Sequence, residues 1–333
     1  MSRSSTITEK FVCQQSDWHA VLFLCMILWF ATPAESIELQ AFGCPSRDLW
    51  GGTNQPSWSP SGEYIAYIWD NVPSPYNIPT YVLRAANFNC ESPTWLPGAF
   101  EYPISSIYGI TSPTWSPDGR RIAFGRPYDE DPTRPEGIWI LGESSSPVFL
   151  LSRPNVGSCA WSPLGDAIAF VEEGSLELVT VETRSVRHLR TDIDSKPSWS
   201  PDGRSLVYSS QGDLWVIDVA TSAVRQLTFD PAMERNPAWS PNGRWIAYSS
   251  NRGGHCDLWV MPAAGVGAIQ LTADEPCDDQ PSWSPSGDRI AFWSSRDHSS
   301  SLWQGGIWIA SQLPDVLTEV VPRSWSAVKS SFR

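Results

Sequence analysis

Six near-copies of one twelve-residue segment constrain this chain more than any other feature. They read PSWSPSGEYIAY (56–67), PTWSPDGRRIAF (113–124), CAWSPLGDAIAF (159–170), PSWSPDGRSLVY (197–208), PAWSPNGRWIAY (237–248) and PSWSPSGDRIAF (281–292). Their tryptophans, Trp58, Trp115, Trp161, Trp199, Trp239 and Trp283, stand 57, 46, 38, 40 and 44 residues apart. A period of this size marks a row of equivalent units, none able to bury its apolar face alone.

Each copy predicts a hairpin. In Ser-Pro-Asp-Gly the serine accepts at the first turn position, proline presets φ at the second, aspartate caps locally, and glycine takes the left-handed conformation. The Trp-Ser strand enters this turn. The Ile-Ala-Phe/Tyr strand leaves it, with isoleucine and the aromatic ring on one face and the small alanine on the other. A third strand follows at Ile138-Trp139-Ile140, Leu214-Trp215-Val216, Leu258-Trp259-Val260 and Ile307-Trp308-Ile309. A fourth is expected twelve residues beyond each of those tryptophans, at Leu151, Leu227, Leu271 and Val320. Four short strands every 40–45 residues define a propeller blade, so the expected fold is all-β, a six-bladed β-propeller of four-stranded antiparallel blades. The 19 tryptophans then find a place, as large rings filling the wedge between neighbouring blades.

Some units depart from the pattern. In the third, Glu177 falls where others carry tryptophan, and Leu164 replaces aspartate in the turn. The first is the longest, with proline-rich stretches at 71–80 and 93–103 that suggest an excursion over one face. The predicted division is a leader over 1–34, an extension over 35–54, the propeller over 55–322 and a tail over 323–333. Within the extension, Ile37–Phe42 alternates and is a candidate edge strand for ring closure.

The leader rests on the apolar run from Ala20 to Ala31, twelve residues without charge, followed by Thr32-Pro33-Ala34. A membrane-spanning helix needs about 20 apolar residues, whereas twelve suits the core of a secretory signal. Export to the periplasm or the extracellular space is expected. An uncleaved signal anchor is the alternative, and the only membrane attachment foreseen.

Lys and Arg number 23 against 36 Asp and Glu, a net charge of −13. This acidity excludes phosphate-backbone binding as a main role, which needs a basic face. The charge is uneven. The segments 126–136, 191–196, 229–236 and 273–280 hold twelve carboxylates against Arg126, Arg134, Lys196 and Arg235. Strand order places these segments on the face opposite the Ser-Pro turns, where a concentrated field would steer a basic partner. The candidate binding residues are Gln55, Ser112, Ser158, Lys196, Asn236 and Gln280, which ring the channel mouth, with Asp274, Glu275, Asp278 and Asp279 on the acidic rim.

Catalysis finds less support. Of the four histidines, His19 lies in the leader, His188 falls on an outer strand, and His255 and His298 lie between second and third strands of neighbouring blades. No nucleophile, base and orienting group converge in sequence. No cofactor is expected. Ca²⁺ is the one metal considered, through loop carboxylates at Asp192, Asp194, Asp274, Glu275, Asp278 and Asp279, although none has the spacing of a helix–loop–helix site. In an exported protein cysteines pair. Cys256 and Cys277 sit on two loops of one rim and are the expected disulfide, Cys44 and Cys90 are a second candidate pair, and Cys159 reads as a buried thiol.

The motif P-x-W-S-P-D-G-x-x-I-A-F/Y, followed by L-W-V and the triplets Gln226-Leu227-Thr228 and Gln270-Leu271-Thr272, resembles the WD40-like repeat of TolB-type β-propellers over residues 55–322. The resemblance implies a six-bladed propeller. TolB-type proteins are periplasmic and bind other envelope proteins through a propeller joined to an N-terminal α/β domain. About 20 residues separate the expected cleavage point from the first unit here, so that second domain is not expected. Similar propellers precede the hydrolase domain of prolyl-oligopeptidase-like peptidases, and no G-x-S-x-G occurs in this chain. The expected role is an exported, non-catalytic and monomeric scaffold for a protein or peptide. The alternative is a propeller hydrolase or lyase with a site in the channel, working with or without a metal.

Overall fold

A computed structural model describes residues 37–42, 51–71, 80–87, 111–126, 135–142, 147–273, 276–296, 305–314 and 317. Each repeat becomes a separate antiparallel sheet. The N-terminal strand is β1 (Glu38–Ala41). The first blade holds β2 (Gly51–Trp58), β3 (Ile65–Asn71) and β4 (Thr80–Ala86). The second holds β5 (Thr111–Trp115), β6 (Ile122–Arg126), β7 (Gly137–Leu141) and β8 (Val148–Ser152). The third holds β9 (Val156–Trp161), β10 (Ala167–Glu172), β11 (Ser175–Thr180) and β12 (Val186–Arg190). The fourth holds β13 (Ser198–Trp199), β14 (Ser205–Ser210), β15 (Asp213–Asp218) and β16 (Val224–Gln226). The fifth holds β17 (Glu234–Trp239), β18 (Trp245–Ser250), β19 (Asp257–Pro262) and β20 (Ile269–Gln270). The sixth holds β21 (Asp278–Trp283), β22 (Ile290–Ser294) and β23 (Gly306–Ser311). The fold is a six-bladed β-propeller.

The sixth blade takes its outer strand from the other end of the chain. β1 pairs antiparallel with β23, with Glu38 opposite Ser311 and Ala41 opposite Trp308. Val320, the residue expected there, lies outside the described residues. Closing the last sheet with the first strand covers an edge that would otherwise be open to pairing. In the first blade the described residues form three strands.

The turns behave as their chemistry dictates. In the fourth blade Gly203 donates its N–H to Ser200 O at 2.9 Å, and its φ of +70° needs the missing Cβ. Asp202 accepts from the Ser200 hydroxyl at 2.6 Å and from Arg204 N–H at 3.1 Å, and these bonds hold its carboxyl below the usual range. The turns also touch one another around the axis. The proline of each packs near the glycine of the next, and the sequence closes with Pro285 against Gly62.

The core lies between blades rather than within them. Ile168 and Phe170 pack with Ala123 and Ile138 of the preceding blade, while Ala169 joins Leu206 and Tyr208 of the following one. The alternation expected of the Ile-Ala-Phe/Tyr strand therefore aims its two faces at two neighbours. Trp58 and Trp69 likewise pack with Ile307 and Ile309, which seals the first blade to the sixth.

Candidate binding site

The six inner strands enclose a channel of about 470 Å³ along the propeller axis. Gln55, Ser112, Ser158, Lys196, Asn236 and Gln280 all line it, as their common place in the repeat requires. Four of them precede the strand's proline in the left-handed region: Gln55 (φ 54°), Ser112 (φ 35°), Asn236 (φ 50°) and Gln280 (φ 58°). At each the register slips against the second strand. Such a bulge takes the residue's N–H out of the ladder and leaves it to find another acceptor.

Those acceptors are side chains, most of them on the neighbouring blade. Gln55 N–H donates to Gln280 Oε1 at 2.8 Å, and Ser112 N–H donates to Gln55 Oε1. The Cys159 thiol donates to Ser112 O at 3.2 Å. Asn236 N–H donates to Ser195 Oγ at 2.9 Å, and Asn236 Nδ2 donates to Asp279 Oδ1 at 2.8 Å. Gln280 N–H also donates to Asp279 Oδ1, at 2.7 Å. Five of the six junctions are thereby linked around the mouth. At the remaining one, between the third and fourth blades, stands Lys196.

Lys196 makes no hydrogen bond or ion pair among the described residues. Its side chain is half-buried and lines the channel. Burial pushes its pKa down, and the nearby Cys159 offsets this only in part. Cys159 is itself fully buried, and burial lifts its thiol to about 12, so it stays neutral at physiological pH.

The carboxylates of the acidic rim divide into three kinds. Asp278 is buried and accepts from Arg296 Nη2 at 2.6 Å; burial still raises its pKa, against the hydrogen bond from Ser294 and the charge of Arg296. Glu234 repeats this one blade earlier, buried against Arg252 Nη2 at 2.6 Å, again with burial raising its pKa. The two arginines lie over Trp308 and Trp259 at 5.0 and 4.9 Å. Each pair is internal to its blade, so Asp278 lies buried in an ion pair and adds no free charge to the rim. Asp279 also serves the structure, accepting from Asn236, Gln280 and Ser249. Asp230, though exposed, shares Arg252 with Glu234 at 2.9 Å, while Asp192 and Asp194 are exposed and make no ion pair among the described residues. Asp274 and Glu275 lie outside the described residues.

Cys256 and Cys277 are free thiols in this structure. The neighbouring Cys277 thiol, with burial, raises the Cys256 pKa, and the Cys256 thiol donates to Asp278 O at 3.5 Å. Cys44, Cys90 and His298 lie outside the described residues. His188 Nδ1 sits 2.7 Å from Glu177 Oε1, so the glutamate that replaces the third-strand tryptophan finds its partner on the outer strand. Among the described residues no group of three or more His, Cys, Asp or Glu is placed to share a metal ion. No helix of the described residues is long and apolar enough to cross a membrane.

A ring of six sheets around an axial channel defines a β-propeller, and that channel is a concave surface of the kind that binds ligands. The chain belongs to the TolB beta propeller domain family, whose model matches residues 142–318, more than half of its length. A comparison with curated proteins finds no match. Among solved structures, TolB from Acinetobacter baumannii is similar at 20% identity and a TM-score of 0.56, over 75% of this chain and 64% of that one. An Agrobacterium tumefaciens protein assigned as a TolB is 25% identical over 57% of this chain and 72% of that one, with a TM-score of 0.49. An acylaminoacyl peptidase in complex with a chloromethyl ketone shares the fold at 14% identity and a TM-score of 0.50, over 74% of this chain and 43% of its own. This chain spans less than two thirds of the Acinetobacter protein and of the peptidase.

Proposed function

We propose that this chain is an exported, non-catalytic scaffold that docks a protein partner on its long-loop face, with a peptide segment entering the channel mouth. The observation that carries the reading is the channel itself, about 470 Å³ and ringed by Gln55, Ser158, Lys196, Asn236 and Gln280. A pocket of that size, open and lined by groups able to hydrogen-bond an extended backbone, suits a peptide. Membership of the TolB propeller family supports a protein partner in general. The exposed Asp192 and Asp194 favour basic residues on the part of the partner that meets the rim. Export rests on the apolar run 20–31 and on the resemblance to periplasmic TolB-type proteins.

Site-specific photo-crosslinking in the native envelope or secreted fraction tests this. A photoreactive residue at Gln280 or Asn236 is expected to capture a discrete polypeptide, and one at the exposed turn residues Asp202 or Asn242 is not. Capture from the turn positions alone, or from neither face, overturns the reading.

A further inference from the structure

We propose that the channel mouth is a carboxylate-binding site organised around Lys196. The proposal rests on the reading of the channel as the binding site, and it names the chemistry of what enters.

The polarity of the mouth follows from how the ring closes. Gln280 Oε1 is taken by Gln55 N–H, and Gln55 Oε1 by Ser112 N–H. Each amide oxygen is held by a backbone N–H, and each NH₂ group remains as an unspent donor, without a partner among the described residues. The Ser158 hydroxyl, also lining the channel, is equally unengaged there. Lys196 supplies three more donors and a positive charge. Among the described residues no Asp or Glu lines the channel. Asp279, the nearest carboxylate in the network, already accepts three hydrogen bonds at Oδ1. The mouth therefore offers the NH₂ groups of Gln55 and Gln280 and the Lys196 ammonium as donors on one side, faces the Oδ1 of Asn236 across the channel because that residue's Nδ2 is spent on Asp279, and is set inside an acidic rim.

An enclosed ammonium group without a counter-ion costs stability. At this position the other five blades place Gln, Ser, Ser, Asn and Gln, so the fold has no need of a cation there. A charge that the fold does not use and does not neutralise is a place for a ligand's charge. The matching group is an anion that accepts from several directions, and a carboxylate does so. Its source is either a small organic acid or the carboxylate of a peptide.

Lys10, Lys196 and Lys329 are the chain's three lysines, which makes acylation of Lys196 easy to follow by peptide mass spectrometry. The probes are citrate and the tripeptide N-acetyl-Gly-Gly-Ala, the latter as free acid and as C-terminal amide, titrated into the full chain by calorimetry. The expected result is binding of citrate, the free acid or both, with at least fivefold slower acylation of Lys196, and no binding of the amide. Citrate alone identifies a small organic acid as the natural class, the free acid alone a peptide carboxylate, and both the carboxylate itself. Lys196→Met is expected to abolish binding and Lys196→Arg to retain it within about tenfold. Equal binding of amide and acid, unchanged binding by Lys196→Met, or no binding of either carboxylate overturns the proposal. Photo-crosslinking at Gln280 that persists in Lys196→Met leaves the scaffold reading standing while the carboxylate site falls.

Discussion

Trp239 donates its backbone N–H to Ser198 Oγ of the preceding blade at 3.0 Å, whereas one junction further on Trp283 uses its indole Nε1, donating to Ala238 O at 3.1 Å. The alternation runs around the whole ring. Trp58 and Trp161 bond through the backbone to Ser282 and Thr114, and Trp115 and Trp199 bond through the indole to Ser57 O and Ala160 O. A hydroxyl residue precedes the tryptophan in the second, fourth and sixth blades, where its side chain is used. Ser198→Ala is expected to cost about 1 kcal/mol, the net worth of one such bond. Ser57→Ala, whose hydroxyl has no partner among the described residues, is expected to stay within about 0.5 kcal/mol of wild type. Urea denaturation of the two variants side by side measures the difference, and equal losses refute the alternation as an energetic feature.

The Asp278–Arg296 pair makes an asymmetric prediction. Removing one partner strands a buried charge, so Arg296→Met is expected to lose about 3–5 kcal/mol. Replacing both, as Asp278→Leu with Arg296→Met, is expected to be near neutral, because the desolvation cost of both ions disappears along with their attraction. The pH dependence has a defined direction. Burial already raises the folded-state pKa of Asp278, and loss of the arginine raises it further. The deficit of Arg296→Met is therefore largest at neutral pH. It shrinks as acid protonates the orphan carboxyl. Thermal melts of the three proteins between neutral and mildly acidic pH check both points.

The ring was legible in the sequence because its information is local. Each Ser-Pro-x-Gly turn and each Ile-Ala-aromatic strand carries its instruction within a dozen residues, six times over. The closure was less so: β1 and β23 lie some 270 residues apart, and nothing in Glu38–Ala41 names its partner beyond an alternating pattern. At the site, repeat position placed Gln55, Ser112, Ser158, Lys196, Asn236 and Gln280 together. The polarity of that ring was hidden, because it depends on which atom of Gln55 and Gln280 the next blade's N–H takes. Counting carboxylates also misled, since Glu234 and Asp278 spend their charge on Arg252 and Arg296. Their arginines follow 18 residues later in both blades, a spacing that sequence comparison of the blades does contain.

The thiols of Cys256 and Cys277 are neighbours, so mild oxidation of the protein is expected to join them. The closed loop of about 20 residues is worth about 3 kcal/mol in the chain-entropy treatment. Non-reducing peptide mapping should show the two linked, with a melting temperature that falls on adding dithiothreitol. Cys159, buried and with its thiol lifted to about 12, is expected to react with maleimide only after unfolding. Free-thiol labelling of both Cys256 and Cys277 in oxidised protein excludes the link.

Lys196 is expected to weaken the fold it sits in. Its folded-state pKa is pushed down by burial, below the ordinary unfolded value of about 10.4. The folded state therefore binds its proton less tightly than the unfolded state does. The resulting penalty is fully present below the folded pKa and disappears as pH rises through the unfolded one. Cys159, the titratable neighbour that faces it, is neutral until about pH 12 and leaves that direction unchanged. Lys196→Met is thus expected to be more stable than wild type at pH 7, by on the order of 1 kcal/mol for an unpartnered enclosed charge. The two stabilities should converge as pH approaches about 10.4. A saturating carboxylate should close the same gap at pH 7 by supplying the missing counter-ion. Urea titrations at pH 7, 8.5 and 10 with both proteins, with and without citrate, measure all three effects. A variant less stable than wild type at pH 7, or a gap that widens with pH, would show that Lys196 is held by interactions the fold needs.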